Sequence, residues 1–137
     1  MRIILGGSMA FSDQMIEVGK QLEQLGHEPV YSGFIDNYIG RSDEEIQQRK
    51  LEDKMTRDAS KEFWARMDTV DAILILNYDR KGTVNYIGGN AFLDLGYAHH
   101  IEIKKFLLNP IPEIELYQSE IEAMAPTILN GDLSKIA

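Results

Sequence analysis

Asp94 is the residue whose type and surroundings most directly indicate chemistry. It is the only charged side chain in the sequence AFLDLGYA at positions 91–98, which is otherwise apolar and predicts a helix. Because burying an unpaired carboxylate is costly, we expect Asp94 to face a polar cleft or a set of hydrogen-bond donors. An ionised, partly desolvated carboxylate in such a cleft is the group required of a nucleophile toward an electrophilic sugar carbon.

A purely structural role is the alternative for Asp94. If the helix begins at residue 91, Asp94 falls in its first turn. A carboxylate there interacts favourably with the helix dipole, by about 0.3–1 kcal/mol, and accepts hydrogen bonds from the preceding amides. Both interpretations stay open on the sequence alone.

A glycine turn, Gly6-Gly7-Ser8, directly follows the first predicted strand. Its backbone N–H groups, together with the amino end of the next helix, can hold an anion or a sugar hydroxyl. The alternative is a tight turn that needs glycine only for its backbone angles. The chain contains neither GxGxxG nor GxxxxGK[ST], which argues against a dinucleotide fingerprint or a P-loop.

The loop NYDRKGTVNYIGGN, at positions 77–90, places polar side chains after the most apolar predicted strand. Its donors and acceptors suit a nucleobase or ribose hydroxyls, although loops also carry polar residues for solvation alone. Together with the glycine turn, it supplies the residues assigned to substrate binding, which are Gly6, Gly7, Ser8, Asn77, Asp79, Gly88, Gly89 and Asn90.

Several kinds of site are not expected. The chain has no cysteine, which removes disulfides, thiol nucleophiles and CxxC zinc sites. No HExxH or HxxxH spacing occurs, so neither a metal nor another cofactor is predicted. The residues Phe63, Trp64 and Met67 recur at helical spacing and are interpreted as core.

The elements that must position these residues alternate between strand and helix. Apolar sequences predict strands at 1–5, 71–76 and 105–108, with shorter ones at 29–31 and 127–129. Helical patterns follow Ser12, which is predicted to act as a cap, and cover 42–68 with a break near 58–60, 91–101 and 116–124. This order predicts an α/β fold, a doubly wound three-layer domain with a parallel sheet of about five strands. Ligands of such folds bind beyond the carboxyl ends of the strands.

Length and composition indicate one globular domain over residues 1–137, with 44% hydrophobic and 26% charged residues. The net charge of -8 argues against a nucleic acid polymer as partner, while a nest of amides can still hold a small anion. The amino-terminal apolar run is five residues long, too short for a secretory core or a membrane span. We therefore expect a cytoplasmic protein with no membrane partner.

Four segments together resemble the nucleoside 2-deoxyribosyltransferase family: GGS, DAILILN, NYIGGNAFLDLGYA and KKFLLNP. In that family the acid immediately before Leu-Gly is the nucleophile, which corresponds to Asp94. The resemblance implies a flavodoxin-like, Rossmann-like domain that cleaves the N-glycosidic bond of a 2′-deoxynucleoside or its 5′-monophosphate. A covalent deoxyribosyl ester is then resolved by a second base or by water.

The resemblance also implies a homo-oligomer, a dimer or larger, in which a neighbour's carboxyl-terminal segment helps to close the site. That segment would be ILNGDL here, with Asn130 and Asp132. Two features depart from the family: Asp94 replaces the usual glutamate, and no residue clearly matches the aspartate that protonates the departing base, for which Asp58 and Asp79 are candidates. Retracting a nucleophile by about 1 Å costs about a hundredfold in rate. A nucleotide-binding protein of the same fold, with weak or no catalytic activity, is the alternative function.

Overall fold

Five parallel strands form one sheet: β1 (Arg2–Gly6), β2 (Glu28–Val30), β3 (Ala72–Ile75), β4 (Lys104–Leu107) and β5 (Thr127–Ile128). Their order across the sheet is β2-β1-β3-β4-β5, the flavodoxin-like arrangement. The structure is a computed structural model that describes residues 1–56 and 58–137, with the backbone alone at positions 54 and 56. It confirms the predicted doubly wound α/β domain with a parallel sheet.

The central strands bury both of their faces. β1 and β3 pair in register from Ile3 opposite Ala72 to Gly6 opposite Ile75. All four residues of β3 are buried, as expected of a continuous apolar strand between two helical layers. This pairing sets the carboxyl ends of β1 and β3 side by side.

The described residues form five α-helices: α1 (Ser12–Gln24), α2 (Asp43–Thr56), α3 (Ala59–Met67), α4 (Gly89–Ile101) and α5 (Gln118–Met124). Buried residues of α1 and of the carboxyl-terminal segment pack on one face of the sheet. Buried residues of α3, α4 and α5 pack on the other face. The chain therefore leaves β1 toward one layer and β3 toward the opposite layer, which opens a crevice between their carboxyl ends.

Two predicted helix starts are wrong. Ser12 is the first residue of α1 and does not cap it; a 3₁₀ turn at Met9–Phe11 precedes the helix, and Ser8 caps that turn by accepting from Ala10 N at 3.2 Å. The helix that carries Asp94 begins at Gly89, so Asp94 lies beyond its first turn and the predicted stabilisation by the helix dipole does not apply.

The long polar stretch before β3 forms two helices, with the predicted break between them. Asp58 caps α3 from a left-handed conformation, with a φ of 46°, and accepts from Lys61 N at 3.2 Å. In the described part of α2, Ile46 and Asp53 are the fully buried side chains. None of the described helices has the length and apolar character that crossing a bilayer requires.

Candidate active site

A cavity opens at the carboxyl end of β1, bounded by α3, α4 and the segment that leads into α2. The sequence-predicted residues that line it are Gly6, Gly7, Ser8, Gly88, Asn90 and Asp94. The structure thus brings the glycine turn and the end of the polar loop together around the Asp94 carboxylate. Their roles in substrate binding and catalysis stay predictions.

The Asn77 side chain bonds the chain that follows β4 and does not line the described cavity. This side chain is fully buried, donates to the carbonyl oxygens of Asn109 and Pro110 at 2.8 and 3.0 Å, and accepts from Asn109 N at 2.9 Å. These bonds tie the chain after β3 to the chain after β4. Of the residues that the structure describes, Asn77 is not among those lining the cavity.

Asp79 and Gly89 also lie outside the described lining. Asp79 is exposed and accepts from Asn85 N at 2.9 Å, which closes a turn of the loop. Gly89 is exposed and begins α4. Asp58 is likewise occupied as a helix cap, so neither acid considered for protonating the departing base is found on the described cavity wall.

Asn130 and Asp132 follow β5, at the sheet edge farthest from β2. Asp132 caps a 3₁₀ turn by accepting from the backbone N–H and the hydroxyl of Ser134, at 3.0 and 2.6 Å. These hydrogen bonds lower the pKa of Asp132 below its ordinary value. Two strands separate β5 from β1, so any contribution of this segment to a catalytic cavity belongs to a neighbouring subunit and stays a prediction.

Gly7 has a conformational reason to be glycine. Its φ is 124°, and a Cβ atom there would lie 2.8 Å from the carbonyl oxygen of Leu76. The turn therefore needs glycine to pass beside the chain that leaves β3. The same residue lines the cavity, so its backbone is also placed to meet a ligand.

Asp94 lies partly buried between the cavity and α3. Its Oδ1 accepts a hydrogen bond from Trp64 Nε1 at 2.9 Å. Burial raises the pKa of Asp94 to about 7, and the bond from Trp64 opposes that rise. Asp94 therefore keeps its proton to a higher pH than an exposed aspartate does.

Tyr97 of α4 packs against the Trp64 ring. The two rings stack, with centroids 5.2 Å apart and planes at 15°, and the Tyr97 hydroxyl donates to Asp68 Oδ1 at 2.7 Å. The interpretation of Trp64 as a core residue missed its bond to Asp94. The two residues stand 30 positions apart, and only the packing of α3 against α4 brings them together.

Sequence reasoning also missed most of the side chains that the stretch 32–63 and Tyr86 contribute to the cavity wall. These side chains are Ser32, Phe34, Tyr38, Lys50, Ser60, Phe63 and Tyr86. Among the described lining residues, Lys50 is the one basic side chain and Asp94 the one acidic side chain. The Tyr38 hydroxyl donates to the fully buried Asp53 at 2.5 Å, which ties this wall to α2. The stretch before α2 has no hydrophobic periodicity that could have marked it.

No metal centre is found in the described residues, since no three side chains of His, Asp or Glu are grouped to hold an ion. His99 and His100 are exposed near the end of α4. The chemistry available in the cavity is that of one carboxylate, one ammonium group, hydroxyls, amides and aromatic rings.

Comparisons with models of protein families, with curated proteins and with solved structures find no match to this chain. The fold assignment accordingly comes from the topology of the sheet itself. A functional assignment has to come from the cavity and from the motifs that line it.

Proposed function

We propose that this chain cleaves the N-glycosidic bond of a 2′-deoxynucleoside or of its 5′-monophosphate, with Asp94 as the nucleophile. The observation that supports this most strongly is the placement of the Asp94 carboxylate. Asp94 lines the cavity at the carboxyl end of β1 together with the glycine turn, and its Oδ1 accepts from Trp64 at 2.9 Å. A partly desolvated carboxylate is suited to stabilise a sugar that develops positive charge.

In the first step, a carboxylate oxygen of Asp94 bonds to the anomeric carbon C1′ while the C1′–N bond breaks. The bonding electron pair leaves with the base, which takes up a proton from solvent. The transition state resembles an oxocarbenium ion, so the negative carboxylate stabilises it as well as attacking it.

In the second step, water or a second base attacks C1′ and the ester bond to Asp94 breaks. The attacking group releases its proton to solvent and the Asp94 carboxylate is regenerated. Attack by water makes the chain a hydrolase, whereas attack by a base makes it a transferase.

The rest of the cavity suits a nucleoside. Phe34 and Tyr86 offer aromatic surface for a base, and Ser8 with the amides near Gly88 offers donors for sugar hydroxyls. A 5′-phosphate would be attracted by Lys50. These features support a small-molecule nucleoside or nucleotide as the ligand.

A nucleotide-binding protein with weak or no catalytic activity is the second candidate. Two observations on Asp94 favour it: its side chain is one methylene shorter than the glutamate usual in the resembling family, and its pKa of about 7 leaves much of it protonated at neutral pH. Both lower the rate without preventing binding.

A homo-oligomer forms part of the proposal, with Asn130 and Asp132 of a neighbour near the cavity. An apolar groove on the outside of α4 and α5 supports such an association, and Leu93, which lines it, is 53% exposed. Light scattering at several protein concentrations measures the mass directly, and a monomer throughout would contradict this part.

The deciding experiment is chromatography of the protein incubated with each 2′-deoxynucleoside and each 5′-monophosphate, with and without a foreign free base. Asp94→Asn is the test variant, and Glu115→Gln, which changes an exposed acid outside the described cavity lining, is the matched control. Free base alone indicates a hydrolase and a new nucleoside indicates a transferase, provided that Asp94→Asn is folded and silent. Ligand binding without product supports the second candidate.

A further inference from the structure

Trp64 is the donor that fixes one oxygen of the Asp94 carboxyl group. Its Nε1 lies 2.9 Å from Oδ1, and among the described residues no hydrogen bond to Oδ2 is found. An indole N–H can donate but cannot accept. Because a carbonyl oxygen accepts a hydrogen bond better than a hydroxyl oxygen, protonated Asp94 favours its proton on Oδ2. When Asp94 is ionised, no donor of the described residues competes for the lone pairs of Oδ2.

The position of Trp64 is set by a reciprocal pair of hydrogen bonds between α3 and α4. Trp64 on α3 donates to Asp94 on α4, and Tyr97 on α4 donates to Asp68 at the end of α3. The Trp64 and Tyr97 rings stack between these two bonds, with centroids 5.2 Å apart. An indole clamped in this way has little freedom to turn its N–H away from Asp94.

We propose that Trp64 is a positioning residue that holds Oδ1 of Asp94 so that Oδ2 is the oxygen that bonds to C1′. This inference rests on the proposed function. It assigns a separate task to each carboxyl oxygen, and it explains how an acid shorter than the usual glutamate keeps a defined orientation toward the cavity.

Other titratable groups face the same cavity and have to be separated from Trp64 in any test. They are Lys50 from α2, Tyr38 from the segment before α2 and Tyr86 from the loop before α4. On the outer side of Trp64, Tyr97 and Glu120 line the neighbouring groove. A change at position 64 replaces none of these groups, but Tyr97 stacks on Trp64 and is therefore tested separately.

The test compares Trp64→Phe with the natural protein by two measurements. The first is a carbon-detected NMR titration of the Asp94 carboxyl group, which needs no substrate. Loss of the charge-assisted bond should raise the pKa of Asp94 by about one unit. The second is kcat and KM across the pH range, where kcat at high pH, with Asp94 ionised in both proteins, should fall about tenfold or more while KM changes little.

Trp64→Gln and Trp64→Met keep the comparison decisive if Trp64→Phe does not fold. The two replacements have similar length, but only glutamine can donate a hydrogen bond. Asp94 should have a lower pKa in Trp64→Gln than in Trp64→Met, and Trp64→Gln should have the higher kcat of the two variants. Tyr97→Phe, which removes the bond to Asp68 and keeps the stacked ring, should have a smaller effect than Trp64→Phe.

The outcomes separate this inference from the proposed function. An unchanged Asp94 pKa and an unchanged high-pH kcat in folded Trp64→Phe would overturn the inference even in an active enzyme. If the natural protein forms no product, the proposed function fails and the assignment of Oδ2 to bond formation fails with it. A raised pKa in Trp64→Phe would then still show that Trp64 holds the carboxylate.

Discussion

Trp64 Nε1 lies 2.9 Å from Asp94 Oδ1, so the central acid of the cavity is held by a residue of a different helix. Apolar side chains of α3 and α4, among them Phe63 and Ala91, line the same cavity as Asp94. Its carboxyl group therefore has one donor to offset the loss of water, and its pKa rises to about 7.

Asp94 should make the free energy of unfolding depend on pH. Its pKa is about 7 in the folded state against an ordinary value of 3.8, so between these values the folded state holds one proton more than the unfolded state. Unfolding becomes easier as pH rises from about 4 to about 7, by up to about 4 kcal/mol, and no further above that. Urea denaturation should show that the free energy of unfolding of Asp94→Asn, relative to that of the natural protein, is higher at pH 8 than at pH 5. An equal difference between the two proteins at both pH values would contradict a raised pKa of Asp94 in the folded state.

Activity should rise with pH through about 7. A nucleophile must be ionised, so kcat/KM should increase about tenfold per pH unit below the pKa of Asp94 and level off above it. Initial rates on a cleaved 2′-deoxynucleoside from pH 5 to 9 measure this directly. A profile that falls through the same range would instead make protonated Asp94 a general acid.

Replacing Asn77 should lower stability, whereas replacing Asn90 should weaken ligand binding. Asn77→Ala removes a fully buried amide that bonds Asn109 and Pro110, and it should cost about 2–4 kcal/mol of stability because those partners lose their bonds. Asn90→Ala, on the cavity wall, should change stability by less than about 0.5 kcal/mol and weaken ligand binding. Chemical denaturation and calorimetric titration with a deoxynucleoside separate the two effects. If Asn90→Ala binds like the natural protein, Asn90 has no part in the site.

Alanine should lower stability at Gly7 and raise it at Gly96. Gly7→Ala should destabilise by about 1–3 kcal/mol, because position 7 has a φ of 124° and its new Cβ would meet Leu76. Gly96→Ala lies inside α4 with open space around the added methyl group, and it should stabilise by about 0.5–1 kcal/mol. Thermal unfolding of both variants checks the prediction, and a neutral Gly7→Ala would show that the turn tolerates side chains.

Much of the fold could be predicted because its signals are local. The apolar strand before Asn77 indicated a buried parallel strand, and the glycine turn after β1 indicated where the first crossover begins. The start of α4 was misplaced because Gly88 precedes it without a side-chain cap to mark the boundary. Asn77 was assigned to binding because the sequence could not show that its amide is used by the neighbouring strand ends.

Only part of the described cavity lining could be predicted from the sequence. Gly6, Gly7, Ser8 and Asp94 lie where short motifs placed them, at the ends of elements whose positions in a doubly wound fold are general. The position of Trp64 behind Asp94 and that of Tyr38 in the cavity wall depend on long-range packing, which no spacing in the sequence reveals.

The two walls of the cavity differ in how firmly they are attached to the molecule. The wall formed by β1 and α4 belongs to the buried core, whereas in the described part of α2 only Ile46 and Asp53 are fully buried. Backbone amides of α2 should therefore exchange with deuterated solvent much faster than those of α4. A ligand that touches both walls would slow exchange mainly in α2, so protection of that helix would report occupancy of the cavity even for a molecule that is never converted to product.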